Sequence, residues 1–181
     1  MSQDFSATAK HTQPKSTTTK VLMLIVIVLL IIGGSVAAVT FTASTAFLGA
    51  EGVILQKSKN DCGIAAVKNV VKKFGYEPNG VDTLLKATQT SGVNLLEIKR
   101  ALQAYNLAGS GYKTTIQEIT TLPLPMIVHW EGNHFVVVEE IRDGDITVID
   151  PAMGRVRYSK AKFAEHWTGV VLSVQRAPQK Q

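Results

Sequence analysis

The hydrophobic positions divide the chain into an unbroken apolar block, a part with helical spacing and a part with strand spacing. The block covers Val21–Ala50 without one charged residue. In the next part, apolar residues such as Ile64, Val67 and Val71 recur every three or four positions, which is the spacing of one helix face. Beyond Pro125, short apolar runs separated by turn residues indicate strands.

Three helices are predicted in the part with helical spacing. The first begins after Asp61, which we expect to cap it, and ends near Gly75. A second, short helix is predicted over residues 81–87. The third begins at Asn94, and Glu97 three residues later completes a capping-box pattern. These segments predict helices that pack against the rest of the domain.

The remaining part is predicted to form strands joined by short turns. The predicted strands are residues 126–130, 134–141, 146–149, 155–158 and 170–174, with a short helix at 161–166. Short turns join antiparallel neighbours. The predicted fold class is therefore α+β, with helices packed on one side of an antiparallel sheet.

The apolar block predicts a membrane segment and defines the domain organisation. Residues 1–20 are rich in Ser, Thr, Gln and Lys and are expected to form a disordered tail. Residues 21–41 are long enough for one transmembrane helix. Residues 42–50 are then a linker, and residues 51–181 form a single domain. A cleaved signal peptide is the alternative, because lysines precede the block and small residues follow it.

Lysines on the two sides of the block predict the orientation of the chain in the membrane. Lys10, Lys15 and Lys20 precede the block, whereas Lys57 and Lys59 follow it. Positive charge favours the cytoplasmic side. We therefore expect a single-pass membrane protein whose domain is extracytoplasmic.

The overall charge gives little support to a nucleic-acid partner. The formal net charge is +5, but three lysines belong to the predicted tail. The other charges are scattered along the chain instead of forming a basic patch, so they indicate solvated surface.

Cys62 is the only cysteine, which excludes an intrachain disulfide. It lies in the first turn of the predicted helix, where unpaired backbone amides favour the thiolate. Gly63 after it is expected to leave room for the backbone of a substrate. Because a lone cysteine is more often a small buried hydrophobe than a nucleophile, the residues around it decide its role.

Three further residues are placed to assist a thiol nucleophile. His134 opens a strand after a Gly-Asn turn, and Asp150 closes a strand sixteen residues later. A hairpin would bring their side chains to the same end of the sheet, where the carboxylate would orient the imidazole. Gln56, six residues before Cys62, is placed to donate to an oxyanion. By themselves, residues of these types are too common to identify a catalytic site.

Two sequence motifs resemble the double-glycine leader peptidases, the papain-like cysteine peptidase domains that process bacteriocin leaders. Residues 56–65, QKSKNDCGIA, resemble the cysteine motif of that family. His129-Trp130, the segment NHFVVV at 133–138 and IDP at 149–151 resemble its histidine motif. The resemblance covers roughly residues 51–175 and implies a papain-like cysteine peptidase fold.

By that resemblance, Cys62 is the nucleophile and His134 the general base. Asp150 would orient the base, and Gln56 would donate to the oxyanion. The implied reaction is endopeptidase cleavage of a peptide or protein leader after a Gly-Gly or Gly-Ala pair, without a metal or cofactor. Ala66 replaces a second cysteine that is frequent in the family, and no phosphate-binding loop or transporter segment follows. The resemblance therefore implies a freestanding form that is anchored in the bacterial cell (inner) membrane and works with a separate export system.

Two alternatives stay open at this point. One is a membrane-anchored module of the same fold that binds peptides or acts as a chaperone without hydrolysis. The other keeps the triad but performs amide hydrolysis or acyl transfer on a cell-envelope substrate. His129 and His166 are expected to have structural roles, since the sequence offers no convergent set of zinc ligands.

Overall fold

A computed structural model describes residues 44–86 and 91–179 of the chain. The predicted tail at 1–20 and the predicted transmembrane helix at 21–41 lie outside these residues. Among the helices of the two described ranges, none has the length and apolar character needed to cross a membrane.

The described residues form helices and strands in an order that places most of the helices first. In chain order the elements are β1 (Thr45–Gly49), α1 (Cys62–Lys73), α2 (Val81–Leu84), α3 (Leu95–Gln103), β2 (Leu107–Lys113), β3 (Met126–Trp130), β4 (His134–Arg142), β5 (Asp145–Asp150), β6 (Gly154–Ser159), α4 (Lys160–His166) and β7 (Trp167–Arg176). Two short 3₁₀ turns lie at Pro78–Gly80 and Glu118–Thr121.

The strands form one seven-stranded sheet in the order β1-β6-β5-β4-β3-β7-β2. Every pair of neighbouring strands is antiparallel, which confirms the predicted α+β class. β4 is the central strand, between β3 and β5. Residues at the start of β4 and at the end of β5 therefore meet at one end of the sheet, near its middle.

Both faces of the sheet are covered. Because side chains alternate along a strand, Phe135 and Val137 of β4 face a core shared with α1, α2 and α3. Val136 and Val138 face the opposite core, which includes Phe163 of α4. The prediction that the helices pack on one side is therefore right for α1 to α3 and wrong for α4.

Helix α1 holds Cys62 against the central strand. Its buried residues Ile64, Val67, Val70 and Val71 have helical spacing and pack in the core against β4. Burial of an aliphatic side chain of this size stabilises a protein by about 1.5–3 kcal/mol. The first residue of α1, Cys62, is thereby fixed beside the first residues of β4.

Two edge strands differ from the sequence prediction. Residues 42–50 are predicted to be a linker, but Thr45–Gly49 pair with β6, with Ala46 opposite Arg157. The linker prediction is therefore wrong for these residues, and the folded domain begins before residue 51. β2, whose sequence LAGSGYK shows little alternation, pairs with β7 along its whole length.

Candidate active site

Asp61 stabilises the loop before α1 and does not cap the helix with its side chain. No first-turn amide of α1 donates to the Asp61 carboxylate. Its two oxygens instead accept hydrogen bonds from the backbone N–H of Lys57 (3.0 Å) and of Ser58 (2.8 Å). The cap prediction is wrong because the preceding loop folds back and offers its own amides. Asp61 thus holds the loop that carries Gln56.

Gly63 serves packing, contrary to the expectation that it leaves room for a substrate. A Cβ atom at this position would lie 2.4 Å from Val93 Cγ2 and 3.2 Å from Ile98 Cδ1. The space beside the Gly63 backbone is therefore filled by Val93, which precedes α3, and by Ile98 within α3. This close approach fixes the start of α1 next to Val93.

His134 and Asp150 form a hydrogen-bonded pair where β4 begins and β5 ends. His134 Nε2 lies 2.8 Å from Asp150 Oδ1, and the same oxygen accepts the Ala152 N–H at 2.8 Å. Asp150 is only 5% exposed, so its position is well fixed. Because Nε2 is paired with the carboxylate, Nδ1 is the ring nitrogen left for the Cys62 thiol.

The electrostatics of the Cys62 and His134 side chains favour a thiolate–imidazolium pair. Burial opposes ionisation of Cys62, but hydrogen bonds from His134 and from the backbone of Phe135 and Gly63, with the charge of His134, lower the thiol pKa. Burial likewise opposes the charge on His134, yet its hydrogen bonds to Asp150 and Cys62 raise its pKa to about 9. Each charge therefore stabilises the other.

Backbone contacts hold Gln56 close to Asp150. Its N–H donates to the Pro151 carbonyl at 2.8 Å, next to Asp150. Its side-chain Nε2 donates to the Ser58 carbonyl at 2.9 Å. An amide NH₂ group carries two hydrogens, so the second is available to another acceptor. The side-chain oxygen of Gln56 is buried without a partner.

Asn69 is a positioning residue that the sequence prediction missed. This α1 residue is 3% exposed, and its side chain makes a two-way hydrogen bond with the backbone of Ile54 at 2.9 and 2.8 Å. Nδ2 also donates to the Ala65 carbonyl at 2.8 Å. A polar residue on the apolar face of a predicted helix is the signal that could have identified it. Asn69 ties the segment before Gln56 to the nucleophile helix.

Two clefts open beside the catalytic candidates. The apolar cleft, of about 410 Å³, is lined by Gly92, Val93, Asn94, Leu95, His129, Asn133, Phe135 and Val170. The aromatic cleft, of about 450 Å³, is lined by Gln56, Lys59, Trp130, Glu131, Asn133, His134, Asp150, Ala152, Met153, Tyr158 and His166. Asn133 lines both clefts and therefore marks the border between them.

The other two histidines of the described chain have packing partners. His129 lies against the Phe135 ring at 5.4 Å and has Nδ1 3.2 Å from Thr168 Oγ1. His166 stacks on Trp130 at 5.2 Å. Within residues 44–86 and 91–179, no three His, Cys, Asp or Glu side chains come together as a metal site would require.

Solved structures of peptidase domains share this fold. The crystal structure of a double glycine motif protease from an AMS/PCAT transporter, in complex with the leader peptide, has a TM-score of 0.64 and 25% sequence identity. It matches 74% of this chain and 98% of that domain. The peptidase domain of Streptococcus ComA, a bifunctional ABC transporter, has a TM-score of 0.58 and 27% identity over 70% of this chain and 97% of that domain.

Curated relatives and a family match agree with the structural similarity. The Lactococcus lactis lactococcin-G-processing and transport ATP-binding protein LagD is 31% identical over 129 residues, which is 66% of this chain and 18% of LagD. The probable functional amyloid protease FapD of Pseudomonas aeruginosa is 28% identical over 134 residues, 67% of this chain and 59% of FapD. Residues 50–179 match the peptidase C39 family. The chain belongs to this family, that of the double-glycine leader peptidases whose motifs it carries.

Proposed function

We propose that the protein is a cysteine endopeptidase that cleaves a peptide or protein leader after a Gly-Gly or Gly-Ala pair. The observation that carries this proposal is the meeting of Cys62, at the start of α1, with the hydrogen-bonded pair His134–Asp150. Nucleophile, base and orienting carboxylate are the three parts that covalent catalysis by a thiol requires.

The catalytic cycle uses the protonation state that the site favours. The Cys62 thiolate attacks the carbonyl carbon of the scissile bond, and the second amide hydrogen of Gln56 donates to the oxyanion. His134, as imidazolium, gives its proton to the leaving amine, and the peptide C–N bond breaks. A water molecule then gives a proton to His134 and attacks the thioester, which releases the carboxylate product and restores Cys62.

The narrow access to Cys62 supports a substrate with small side chains at the scissile bond. Cys62 is 5% exposed, so an extended chain reaches the sulfur only if little projects from it near the reacting carbonyl. Gly92 and Val93, which lie beside the start of α1, line the apolar cleft. That cleft is suited to apolar leader residues that precede the scissile pair.

The proposal also includes a membrane anchor and an export partner, and these rest on the sequence. The uncharged apolar stretch at 21–41 supports a single-pass anchor, and the lysines before it favour an extracytoplasmic domain. A reporter fused after Gln181 that is active only outside the cytoplasm tests this orientation. Activity of a cytoplasm-specific reporter at the same position would reverse it.

Mass spectrometry of cleaved peptides tests the proposed activity. The full chain and its Cys62→Ala variant are incubated with leader-like peptides that differ only at the scissile pair: Gly-Gly, Gly-Ala or Val-Val. We expect the unmodified protein alone to cleave, after the Gly-Gly and Gly-Ala pairs and not after Val-Val. Intact peptides in both samples, with retained binding, would instead support the non-hydrolytic peptide-binding module.

A further inference from the structure

The two clefts lie on different sides of the scissile bond. His134 gives its proton to the leaving amine, so the substrate residues after the bond leave on the side of His134. The aromatic cleft includes His134, Asp150 and Gln56 among its lining residues, whereas the apolar cleft includes none of them. The aromatic cleft therefore faces the residues that follow the scissile bond.

The walls of the aromatic cleft are rings. Trp130 lies 5.4 Å from the Tyr158 ring and stacks on His166 at 5.2 Å with an interplanar angle of 19°. Met153, which is 50% exposed, adds a flexible apolar side chain at the rim. A volume of about 450 Å³ is enough for one long side chain. Trp130 and Tyr158 are only 5% and 8% exposed, so together with Met153 they offer a small apolar surface against which the aliphatic stem of a long side chain can lie.

An acidic group stands at the mouth of this cleft. Glu131 Oε1 lies 2.7 Å from His166 Nδ1, and the side chain is 57% exposed. The contact with His166 involves only one of the two carboxylate oxygens of Glu131, so the other oxygen can accept a further hydrogen bond. The charge reaches the cleft walls, because burial and then the negative charges of Asp150 and Glu131 raise the pKa of Tyr158.

The backbone holds Glu131 in a conformation that other residues adopt more easily. Its φ is +49°, in the left-handed region where Gly, Asn and Asp are the usual residues. The Glu131 N–H donates to the His166 carbonyl at 2.9 Å, so main chain and side chain both bind the same residue of α4. The carboxylate is thus fixed at the β3–β4 turn next to Asn133. Lys59, an exposed residue, also lines this cleft.

We propose that Glu131 and the rings of Trp130 and Tyr158 form a subsite that selects an arginine or lysine side chain within the first two residues after the scissile bond. The subsite recognises the part of the substrate that follows the scissile bond. This proposal rests on the proposed peptidase function. The stem of the basic side chain lies along the rings, and its charged end pairs with the Glu131 carboxylate.

Competition between paired peptides tests the subsite. Two peptides that share a Gly-Gly pair and differ only in Arg or Glu at the first following residue are cleaved in one reaction, and a second pair carries the change at the second residue. The ratio of products gives the ratio of kcat/KM directly, so partial loss of folded enzyme cancels. We expect the Arg peptide to be favoured by about fivefold at one of the two positions, the upper range for an exposed ion pair.

Substitutions on the enzyme assign the preference to Glu131. Glu131→Gln is expected to bring the ratio close to one, and Glu131→Lys to reverse it in favour of the Glu peptide. Glu140→Gln is the matched control, because Glu140 is an exposed carboxylate that lies outside the aromatic cleft and pairs with Arg142. Its ratio should equal that of the unmodified protein.

The outcomes separate the subsite from the peptidase activity itself. Cleavage after Gly-Gly with equal rates for both members of each pair, or a ratio that Glu131→Gln leaves unchanged, would overturn the subsite alone. Failure of every Gly-Gly peptide to be cleaved would overturn the peptidase function and the subsite with it.

Discussion

The polar side chains around Cys62 have two distinct tasks. Gln56, His134 and Asp150 line the aromatic cleft and belong to the proposed catalytic group. The hydrogen bonds described for the Asp61 side chain are both accepted from backbone N–H groups of its own loop. A carboxylate next to a thiolate in sequence would oppose ionisation if it faced the sulfur. Because the Asp61 carboxylate binds the loop N–H groups, its position is compatible with the lowered pKa of Cys62.

Substitution of Asp61 is expected to reduce catalysis by loosening the Gln56 loop. In Asp61→Ala the N–H groups of Lys57 and Ser58 lose their acceptors, and Gln56 is no longer held in position. A displacement of about 1 Å costs up to about 10²-fold, so we expect kcat/KM to fall by between about tenfold and a hundredfold. Cleavage kinetics at several pH values measure this change.

The pH profile distinguishes this positioning role from a catalytic one. Both limbs of the Asp61→Ala profile should stay where they are in the unmodified protein, and Asp61→Asn should recover part of the rate. Asp82→Ala, which removes an exposed partner of Lys68, is the control and should leave kcat/KM within about twofold. A shifted limb in Asp61→Ala would contradict the proposed loop role.

At the scale of the elements, Asn69 joins α1 to the irregular segment before Gln56. Asn69→Ala leaves the partly buried N–H and C=O of Ile54 without their partners. We expect a loss of about 2–4 kcal/mol in the free energy of unfolding, measured by urea denaturation. Asn79→Ala, at an exposed position, should change it by less than about 0.5 kcal/mol. Equal effects of the two substitutions would contradict the role of Asn69.

The pairing of β1 with β6 predicts where the chain can be shortened. A protein that begins at residue 42 keeps β1, whereas one that begins at residue 51 leaves the edge of β6 unpaired. We expect the shorter protein to melt at least about 5 °C lower, which corresponds to roughly 1 kcal/mol for a domain of this size. Equal melting temperatures in a calorimetric scan would show that β1 adds nothing to stability.

The sequence predicts elements whose pattern is local and misses those defined by distant partners. The capping box of α3 is read from two residues, and both of its hydrogen bonds are present. The bounds predicted for β3 agree with Met126–Trp130, because Pro125 and the Glu131–Asn133 turn delimit it. β1 and β2 carry no such signal, since each is an edge strand defined by its backbone pairing with β6 or β7.

The candidate site likewise combines features with a local sequence pattern and features that depend on distant contacts. Its residues could be selected from two short motifs and their order along the chain. The bond from His134 to Asp150 requires the β4–β5 pairing, in which Val137 lies opposite Ile149. The roles of Asp61 and Gly63 depend on the path of a loop and on the contact with Val93, and a residue pattern does not specify these.

For the whole molecule, the site predicts how activity depends on pH. The active pair requires a Cys62 thiolate, present above the lowered pKa of the thiol, and a protonated His134, present below its pKa of about 9. We expect kcat/KM to be bell-shaped with an alkaline limb near pH 9. Rates measured between pH 5 and 10.5 test this shape, since an alkaline limb near the ordinary histidine pKa of about 6.5 would contradict it.

Asp150→Asn tests the cause of the alkaline limb. The neutral amide removes the charge of Asp150 and weakens its hydrogen bond to His134, and both of these raise the histidine pKa in the unmodified protein. The limb should therefore move to lower pH, with kcat/KM lower by roughly 10²-fold. Glu139→Gln is the control, because Glu139 is a comparably buried carboxylate that pairs with Lys73 and Arg155. Its profile should keep the alkaline limb in place.

Because Gly63 and Val93 are in close contact, a substitution at either position is expected to change both the preference for the leader and the rate of cleavage. Val93 is a wall of the apolar cleft and also fills the space beside the residue after the nucleophile. A larger residue at position 63 is expected to displace that wall and to change the position of Cys62 relative to His134. Substitutions that change the preference for the leader without lowering the cleavage rate are therefore expected at other positions of the apolar cleft, such as Val170.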